Sequence, residues 1–179
     1  MVRNLIDVSK ILPITFEKVK KYIRCTTLWK KMSPIPEKDM KFEFVDENRV
    51  HQEVTYTFTI GLTGLIKHTA HIVQDVLFEE KDDTYILTVE KSNEVDKSEI
   101  HINIEDMGDN INVKVALIKL YFKRGILELV GRQIVINRFR AEIVKLLKKT
   151  AKMLRDGSLD PIFAKCDEEM AKIEENQSG

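Results

Sequence analysis

Residues 49–60, RVHQEVTYTFTI, decide the fold, because apolar and polar side chains alternate along them with a period of two. Val50, Val54, Tyr56 and Phe58 fall on one side of such a strand, while histidine, glutamate and threonine fall on the other. Clean alternation is typical of an antiparallel strand that packs one face and leaves the other in water. The stretch therefore predicts a strand in a sheet with one apolar face.

The same alternation extends over residues 40–117 and predicts six antiparallel strands in hairpin order. Residues that favour turns, such as Asp, Asn, Gly and Ser, divide the run at 46–48, 61–64, 81–82, 92–93 and 108–109. A further strand is predicted over residues 4–12, which are rich in Ile, Leu and Val and end before Pro13.

Helical segments stand on both sides of the strand run. Two short helices are predicted after the first strand: Thr15 is the expected N-cap of one, and Trp29 lies in the other, which ends at 33–36. From residue 126 to Arg155 the apolar positions recur with the period of a helix, within about 120° of arc. At ~1.5 Å per residue this helix approaches ~40 Å, which is long enough to cross a whole sheet.

This order of elements predicts an α+β fold: a seven-stranded curved antiparallel sheet wrapped round one long C-terminal helix, with two short helices after the first strand. A sheet with a single apolar face must cover it, and the long helix is the one large cover in the sequence. We expect residues 1–157 to form this domain and residues 158–179 to form an amphipathic helical tail with a frayed end. The apolar stripe of the tail needs burial on its own domain, over the mouth of a cavity, or on a partner.

The order of elements resembles the helix-grip superfamily, which includes START domains, birch-pollen-allergen-like proteins and polyketide cyclases. The resemblance covers roughly residues 3–155 and is one of topology, without a diagnostic motif. It implies an apolar cavity between the curved sheet and the last helix, and binding of lipids, sterols, polyketides or other apolar molecules. A minority of members catalyse reactions on such molecules. A cystatin-like or nuclear-transport-factor-like sheet would instead place its main helix before the strands.

The composition excludes several classes of protein. The 179 residues carry 29 basic and 29 acidic side chains, so a nucleic-acid-binding protein is not expected. No stretch approaches the ~18 consecutive apolar residues of a membrane span, and Arg3 and Asp7 argue against a signal peptide. We therefore expect a cytoplasmic protein without integral membrane insertion. No metal or cofactor is expected, because no histidine or cysteine spacing resembles a known site.

Charge and cysteines add two further expectations. The long helix has a basic face opposite its apolar stripe, which could bind an anionic membrane or nucleic acid, or could be neutralised by the acidic tail if the tail docks nearby. Cys25 and Cys166 lie far apart in the sequence. We expect two buried or half-buried thiols in a reducing cytoplasm, with a disulfide as the alternative.

Strand pairing brings two glutamines together on the apolar face. If residues 62–64 form a three-residue hairpin loop that ends in a left-handed glycine, Ile60 pairs with Ile66, and Gln52 lies opposite Gln74. Burying an unpaired amide costs on the order of 1–3 kcal/mol. The two amides therefore orient a carbonyl or hydroxyl of a ligand, or bond each other, or lie at a wet rim.

Two more polar residues are candidates for the inner face. His68 falls opposite Phe58 near the hairpin tip, where it is either a cavity group or a half-exposed edge histidine. Arg132 falls at the centre of the apolar stripe of the long helix, and its guanidinium could anchor an acidic head group or reach water if the helix starts later. Trp29 is expected to pack in the core. The other candidates for cavity lining are Tyr56, Phe58, Tyr85, Ile102, Val115 and Phe139.

Three functions are compatible with these observations. The first is binding of an apolar small molecule or lipid between sheet and helix, as a carrier or sensor without catalysis. The second is an enzyme of the cyclase or hydratase kind that uses Gln52, Gln74, His68 and Arg132. The third is a protein-interaction or co-chaperone-like module, with a partner or a second copy bound through the outer sheet face or the tail. The sequence favours the first, because no histidine stands at a telling spacing from a nucleophile.

Overall fold

A single antiparallel sheet dominates the computed structural model, which describes residues 4–60 and 66–177, with side chains over 4–59 and 66–171. In these ranges the strands are β1 (Ile6–Leu12), β2 (Met40–Asp46), β3 (Arg49–Ile60), β4 (Ile66–Lys81), β5 (Thr84–Ser92), β6 (Val95–Asp106) and β7 (Ile111–Phe122). Their order in the sheet is β1-β7-β6-β5-β4-β3-β2, so the first strand of the chain pairs with the last. The predicted α+β fold with a seven-stranded antiparallel sheet is confirmed.

The helices cover the concave face and one end of the sheet. They are α1 (Phe16–Tyr22), α2 (Thr26–Met32), α3 (Ile126–Val130), α4 (Arg132–Arg155) and α5 (Asp160–Gln177). The helix predicted from residue 126 is two helices, because Gly131 adopts φ 93°, a left-handed conformation that glycine reaches without strain. Gly157, at φ 74°, follows the end of α4, where a left-handed glycine commonly terminates a helix.

The predicted register of the longest hairpin is confirmed. Ile60 pairs with Ile66, Phe58 with His68, and Gln52 with Gln74. The loop at 62–64, from which this register was predicted, lies outside the described residues. Irregularities in the β2–β3, β4–β5 and β6–β7 ladders interrupt the pairing. Bulges of this kind bend strands, and the bent sheet wraps its apolar face round α4.

The apolar stripe of α4 packs on this face. Val135 and Leu147 are almost fully buried, the first beside Val54 and Tyr56 of β3 and the second beside Val113 and Val115 of β7. Within the described ranges, no helix combines the length and apolar character required to cross a bilayer.

The expectation of two free thiols is wrong. Cys25 and Cys166 form a disulfide, with Cα atoms 5.6 Å apart and a sequence separation of 141 positions. The helical tail brings them together, because α5 lies against α2 and places Cys166 at the N-cap of that helix. The correction removes the cysteine-based argument for a reducing compartment, since disulfides persist chiefly in oxidising compartments and in intracellular proteins of hyperthermophiles.

The tail docks on its own domain. Its apolar residues Leu159, Ile162 and Phe163 are buried against Tyr22 and Leu28 of α1 and α2. Phe163 stacks on Tyr22 with ring centroids 4.9 Å apart. This packing uses the apolar stripe that had suggested a partner protein or self-association.

Among the side chains described up to residue 171, two acidic residues of the tail contact α1 and α2 rather than the basic face of α4. Asp167 forms an ion pair with Lys21 of α1 at 2.7 Å. Glu169 accepts hydrogen bonds from the backbone N–H groups of Thr26 and Thr27, at 2.8 and 3.3 Å. These carboxylates therefore bind α1 and the N-terminus of α2, where the helix dipole favours negative charge.

Candidate ligand-binding cavity

A cavity of about 300 Å³ lies between the concave face of the sheet and α4, and we call it the central cavity. All seven strands contribute to its wall, together with α2, α4 and the connection from α2 to β2 at residues 33–35. A volume of this size is at the lower end of the range for small-molecule sites. Most of the lining side chains are aliphatic or aromatic, and the polar ones are Ser33, Gln52, Tyr56, Gln74, Ser98 and Glu142.

Gln52 and Gln74 form one polar spot in the wall of this cavity. They are half-buried neighbours across β3 and β4, and Nε2 of Gln74 donates to Oε1 of Gln52 at 2.8 Å. This bond uses one donor and one acceptor, which leaves the Gln52 amide nitrogen and the Gln74 carbonyl for a further partner. The pair can therefore bind a group that both donates and accepts, such as a hydroxyl or an amide.

Tyr56 and Glu142 form a second polar spot, at the α4 side. Tyr56 on β3 packs against Phe139 of α4, with ring centroids 5.8 Å apart. Glu142, one turn further along α4, is only 8% exposed and forms an ion pair with Arg138 at 3.0 Å. Burial raises the pKa of the Tyr56 phenol, and the negative charge of Glu142 raises it further. The phenol therefore stays protonated and able to donate at any physiological pH.

The hydroxyl of Tyr56 is free for a ligand. Among the described residues it has no hydrogen-bond partner, and the same is true of the Ser98 hydroxyl on β6. Among the described residues, every side-chain nitrogen or oxygen that is fully buried has a hydrogen-bond partner, so an oxygen without a partner is not fully buried. Both hydroxyls therefore face open cavity volume rather than packed carbon.

A smaller cavity of about 100 Å³ lies beside the first, and we call it the α5 cavity. It is lined by α1, α2, the far ends of β6 and β7, the last turns of α4, Leu159 just before α5, and Phe163 of α5. Its lining is aliphatic and aromatic apart from Lys18 and Thr150. Nζ of Lys18 lies 4.1 Å from the Phe163 ring centroid, at the boundary between α1 and α5.

Trp29 lines both cavities. Its indole N–H donates to the carbonyl of Ile23 at 2.6 Å, and its ring lies 5.8 Å from that of Phe42. The expected core role is therefore incomplete: Trp29 packs on Phe42, and it also forms part of the wall between the two spaces.

Six of the ten predicted site residues line the central cavity. They are Gln52, Gln74, Tyr56, Ile102, Val115 and Phe139. The other four, Arg132, Phe58, His68 and Tyr85, do not line it.

Arg132 does not point into the cavity. The helix break at Gly131 makes Arg132 the first residue of α4, and its side chain is exposed. Its guanidinium carbon lies 5.5 Å from the ring centroid of Tyr121, an exposed residue near the end of β7. The helical wheel gives the direction of a side chain but not its position along the helix, and at the first residue of α4 the side chain lies beside the exposed end of β7 rather than over the cavity.

The other three residues do not line the cavity. Phe58 is 3% exposed and packs in the core beside Tyr56, with ring centroids 6.0 Å apart. His68, opposite Phe58, is half-buried near the hairpin tip and does not line the cavity. Tyr85 is 1% exposed and packs on Phe78 at 5.4 Å, and burial raises its pKa to about 12. Strand parity predicted the face of these residues correctly but not their position along it.

Sequence reasoning missed Glu142 and Ser98. Glu142 stands three residues after Phe139 and four before Leu146, which is the spacing of the buried stripe. That spacing is a signal that a carboxylate faces the sheet. Ser98 carries a signal as well, because it has the strand parity of Ile100 and Ile102 and therefore falls on the inner face of β6.

The outer face of the sheet carries histidines paired with carboxylates. Nδ1 of His51 lies 2.8 Å from Asp75 and Nε2 lies 3.2 Å from Glu53, and these contacts raise the pKa of His51. Nε2 of His101 lies 2.8 Å from a carboxylate oxygen of Glu99. Across residues 4–60 and 66–177, no group of three or more His, Cys, Asp or Glu side chains could hold a metal ion.

Solved structures share this architecture, although no protein-family model and no curated protein sequence matches the chain. A START superfamily protein from Mycobacterium smegmatis has a TM-score of 0.57 and 11% identity, over 83% of this chain and 97% of its own. A conserved protein from Geobacillus kaustophilus has a TM-score of 0.55 and 18% identity, over 84% of this chain and 94% of its own. An aromatase/cyclase from Streptomyces sp. R1128 has a TM-score of 0.53 and 5% identity, over 84% of this chain and 92% of its own.

At these identities the likeness establishes the fold. The chain has the helix-grip fold that START superfamily proteins and polyketide aromatase/cyclases share, and the predicted resemblance is confirmed.

Proposed function

We propose that this protein binds an apolar small molecule or lipid in the central cavity, as a carrier or sensor. The observation that carries the proposal is the cavity itself, because close-packed protein interiors seldom contain voids larger than a water molecule. A space of about 300 Å³ lined mainly by carbon leaves apolar surface unburied, and an apolar ligand would bury that surface and gain contacts with it.

The polar groups in the wall support a ligand with at least one oxygen or nitrogen. Gln52 and Gln74 offer a donor and an acceptor, and Tyr56 offers a phenol that stays protonated. A few placed polar groups in an apolar wall are typical of sites that fix the orientation of a small molecule. A pure hydrocarbon would leave these groups without partners.

Native mass spectrometry of the purified protein, followed by extraction and identification of any bound molecule, tests the proposal. We expect a co-purifying apolar compound, or binding of an added hydrophobic dye at one site per chain. Ile100→Phe adds volume inside the cavity, whereas Ile11→Phe makes the same change at a position on β1 that is 52% exposed. Binding should fall in the first variant and persist in the second. Equal binding in both would contradict a site in the central cavity.

An enzyme of the cyclase or hydratase kind is the second candidate, and one observation favours it. A protonated phenol and a buried carboxylate, Tyr56 and Glu142, line the same cavity, and such a pair can serve as acid and base. Under this proposal Tyr56→Phe and Glu142→Gln would each retain binding of the extracted compound but abolish its conversion. Conversion that survives both changes would exclude these two residues from catalysis.

A further inference from the structure

The α5 cavity and the central cavity are separated by a wall one side chain thick. Five residues line both spaces: Trp29, Ile102, Val113, Leu146 and Leu147. Ile102 and Leu146 are only half-buried although they point into the interior, because open volume lies on both sides of them. Rotamer changes of such aliphatic side chains cost little compared with backbone movement. The two cavities can therefore become one without a change of fold.

The two spaces differ in chemistry. The central cavity contains both polar spots, whereas the α5 cavity is lined almost entirely by carbon. A molecule that occupies both would place a polar end near Gln52, Gln74 or Tyr56 and an apolar chain past Trp29. Because side chains separate the two spaces, a passage between them admits a flexible alkyl chain more readily than a fused ring system.

The polar groups also define the charge of that end. Gln52, Gln74, Tyr56 and Ser98 are uncharged. Glu142 already forms ion pairs with Arg138 at 3.0 Å and with Lys145 at 3.8 Å. A charged head group would enter a low-dielectric space without a free counter-ion, which is strongly unfavourable. A hydroxyl or amide head has partners there that can donate and accept.

We infer that the central cavity and the α5 cavity form one elongated site for a neutral single-chain amphiphile, with its head at the glutamine pair and its tail under α5. The inference rests on the proposed function and adds the ligand class and the tail compartment. It gives α5 a role in the site, because Phe163, together with Leu159 just before the helix, lines the compartment in which the tail ends.

The test uses 1-alkanols of increasing length and the fluorescence of Trp29, the only tryptophan in the chain. A ligand that passes between the cavities contacts the indole and changes its emission. Affinity should rise about fourfold per methylene while the chain gains buried contacts, and should level off once the tail compartment is full. Absence of any emission change or length dependence, while another compound still binds the central cavity, would overturn the inference and leave the proposed function standing.

Two variants move that limit in opposite directions. Val19 of α1 and Ile14 line the α5 cavity and not the central one. Val19→Phe should bring the plateau to a shorter alkanol, and Ile14→Ala should move it to a longer one, with short alkanols bound as in the wild type. Val45→Phe, at a position 66% exposed on β2, is the matched control. A plateau that stays at the same length in both variants would show that the tail lies elsewhere.

The charge of the head is tested with 1-decanol, decanoate and decylamine, which share one chain length. The neutral alcohol should bind at least tenfold more tightly than either ion, measured by calorimetry. Equal or tighter binding of an ion would overturn the neutral head. Failure of every alkanol together with failure of the hydrophobic dye would instead contradict the proposed function itself.

Discussion

Gln74 donates to Gln52 across β3 and β4 at 2.8 Å, on a sheet face that is otherwise almost wholly apolar. Each amide meets part of the hydrogen-bonding capacity of the other. The pair is therefore less costly to bury in the wall of a cavity than a single amide without a partner. Both side chains still have one group free, and this makes the pair a recognition element as well as a structural contact.

Replacing one glutamine should destabilise the protein more than replacing both. Gln74→Leu leaves the Gln52 carbonyl without its donor and should lower the free energy of unfolding by about 1–2 kcal/mol. The double variant Gln52→Leu, Gln74→Leu removes both polar groups and should recover most of that loss. Urea denaturation measures both, with the exposed Gln133→Leu of α4 as a control. A double variant that loses the sum of the single losses would show that the amides act independently.

The disulfide should contribute substantially to stability, because it closes a loop of 141 residues between α2 and α5. Cross-links over loops of this length stabilise by about 2–5 kcal/mol, largely by restricting the unfolded chain. The double variant Cys25→Ser, Cys166→Ser should lose that amount in chemical denaturation, as should the wild type in the presence of a reductant. Alkylation of the unreduced protein should label no thiol. Two labelled thiols in the folded protein would contradict the bond.

The sequence predicted the sheet well because the period of a strand is a local property. The hairpin between β3 and β4 fixed the register over a dozen residues, and the pairing of Gln52 with Gln74 followed from that register. Strand parity also placed Ile102, Val115 and Tyr56 on the face that lines the cavity. These predictions required only local pattern and turn geometry.

Features that depend on three-dimensional packing were not predictable in the same way. The contact between Cys25 and Cys166 depends on where α5 docks, and no local pattern encodes it. Arg132 is the first residue of α4 and lies beside the exposed Tyr121, and a helical wheel does not show where along the helix the sheet ends. Ser98 was within reach of strand parity, since it shares the parity of Ile100. Glu142 was within reach of the helical wheel, since it lies at the edge of the apolar stripe.

Glu169 should act as a cap for α2 although it belongs to α5. Its carboxylate accepts from the N–H of Thr26 at 2.8 Å and from the hydroxyl of Thr27 at 2.8 Å. Groups of this kind satisfy helix N–H donors that have no partner within the helix, and their loss typically costs about 1 kcal/mol. Glu169→Ala should lower the stability by about this amount in urea denaturation. Glu168→Ala, an exposed neighbour on the same helix, is the control and should have little effect.

The pKa of His51 should lie above the ordinary value for histidine. Hydrogen bonds from the imidazole to Asp75, and secondarily to Glu53, favour its protonated form and raise its pKa above 6.5. Titration of the histidine signals by NMR should show this shift, and Asp75→Asn should reduce it. Asp109→Asn, in an exposed turn, should leave it unchanged.

The same shift predicts how stability depends on pH. A histidine whose pKa is higher in the folded chain than in the unfolded one stabilises the fold fully below the unfolded pKa, and this contribution disappears as pH rises through the folded pKa. His51→Gln should therefore reduce the free energy of unfolding at pH 5.5 and change it less at pH 9. Because the His51 side chain is about a quarter exposed, solvent screening keeps the effect small. An equal loss at both pH values would show that His51 contributes through packing rather than through its charge.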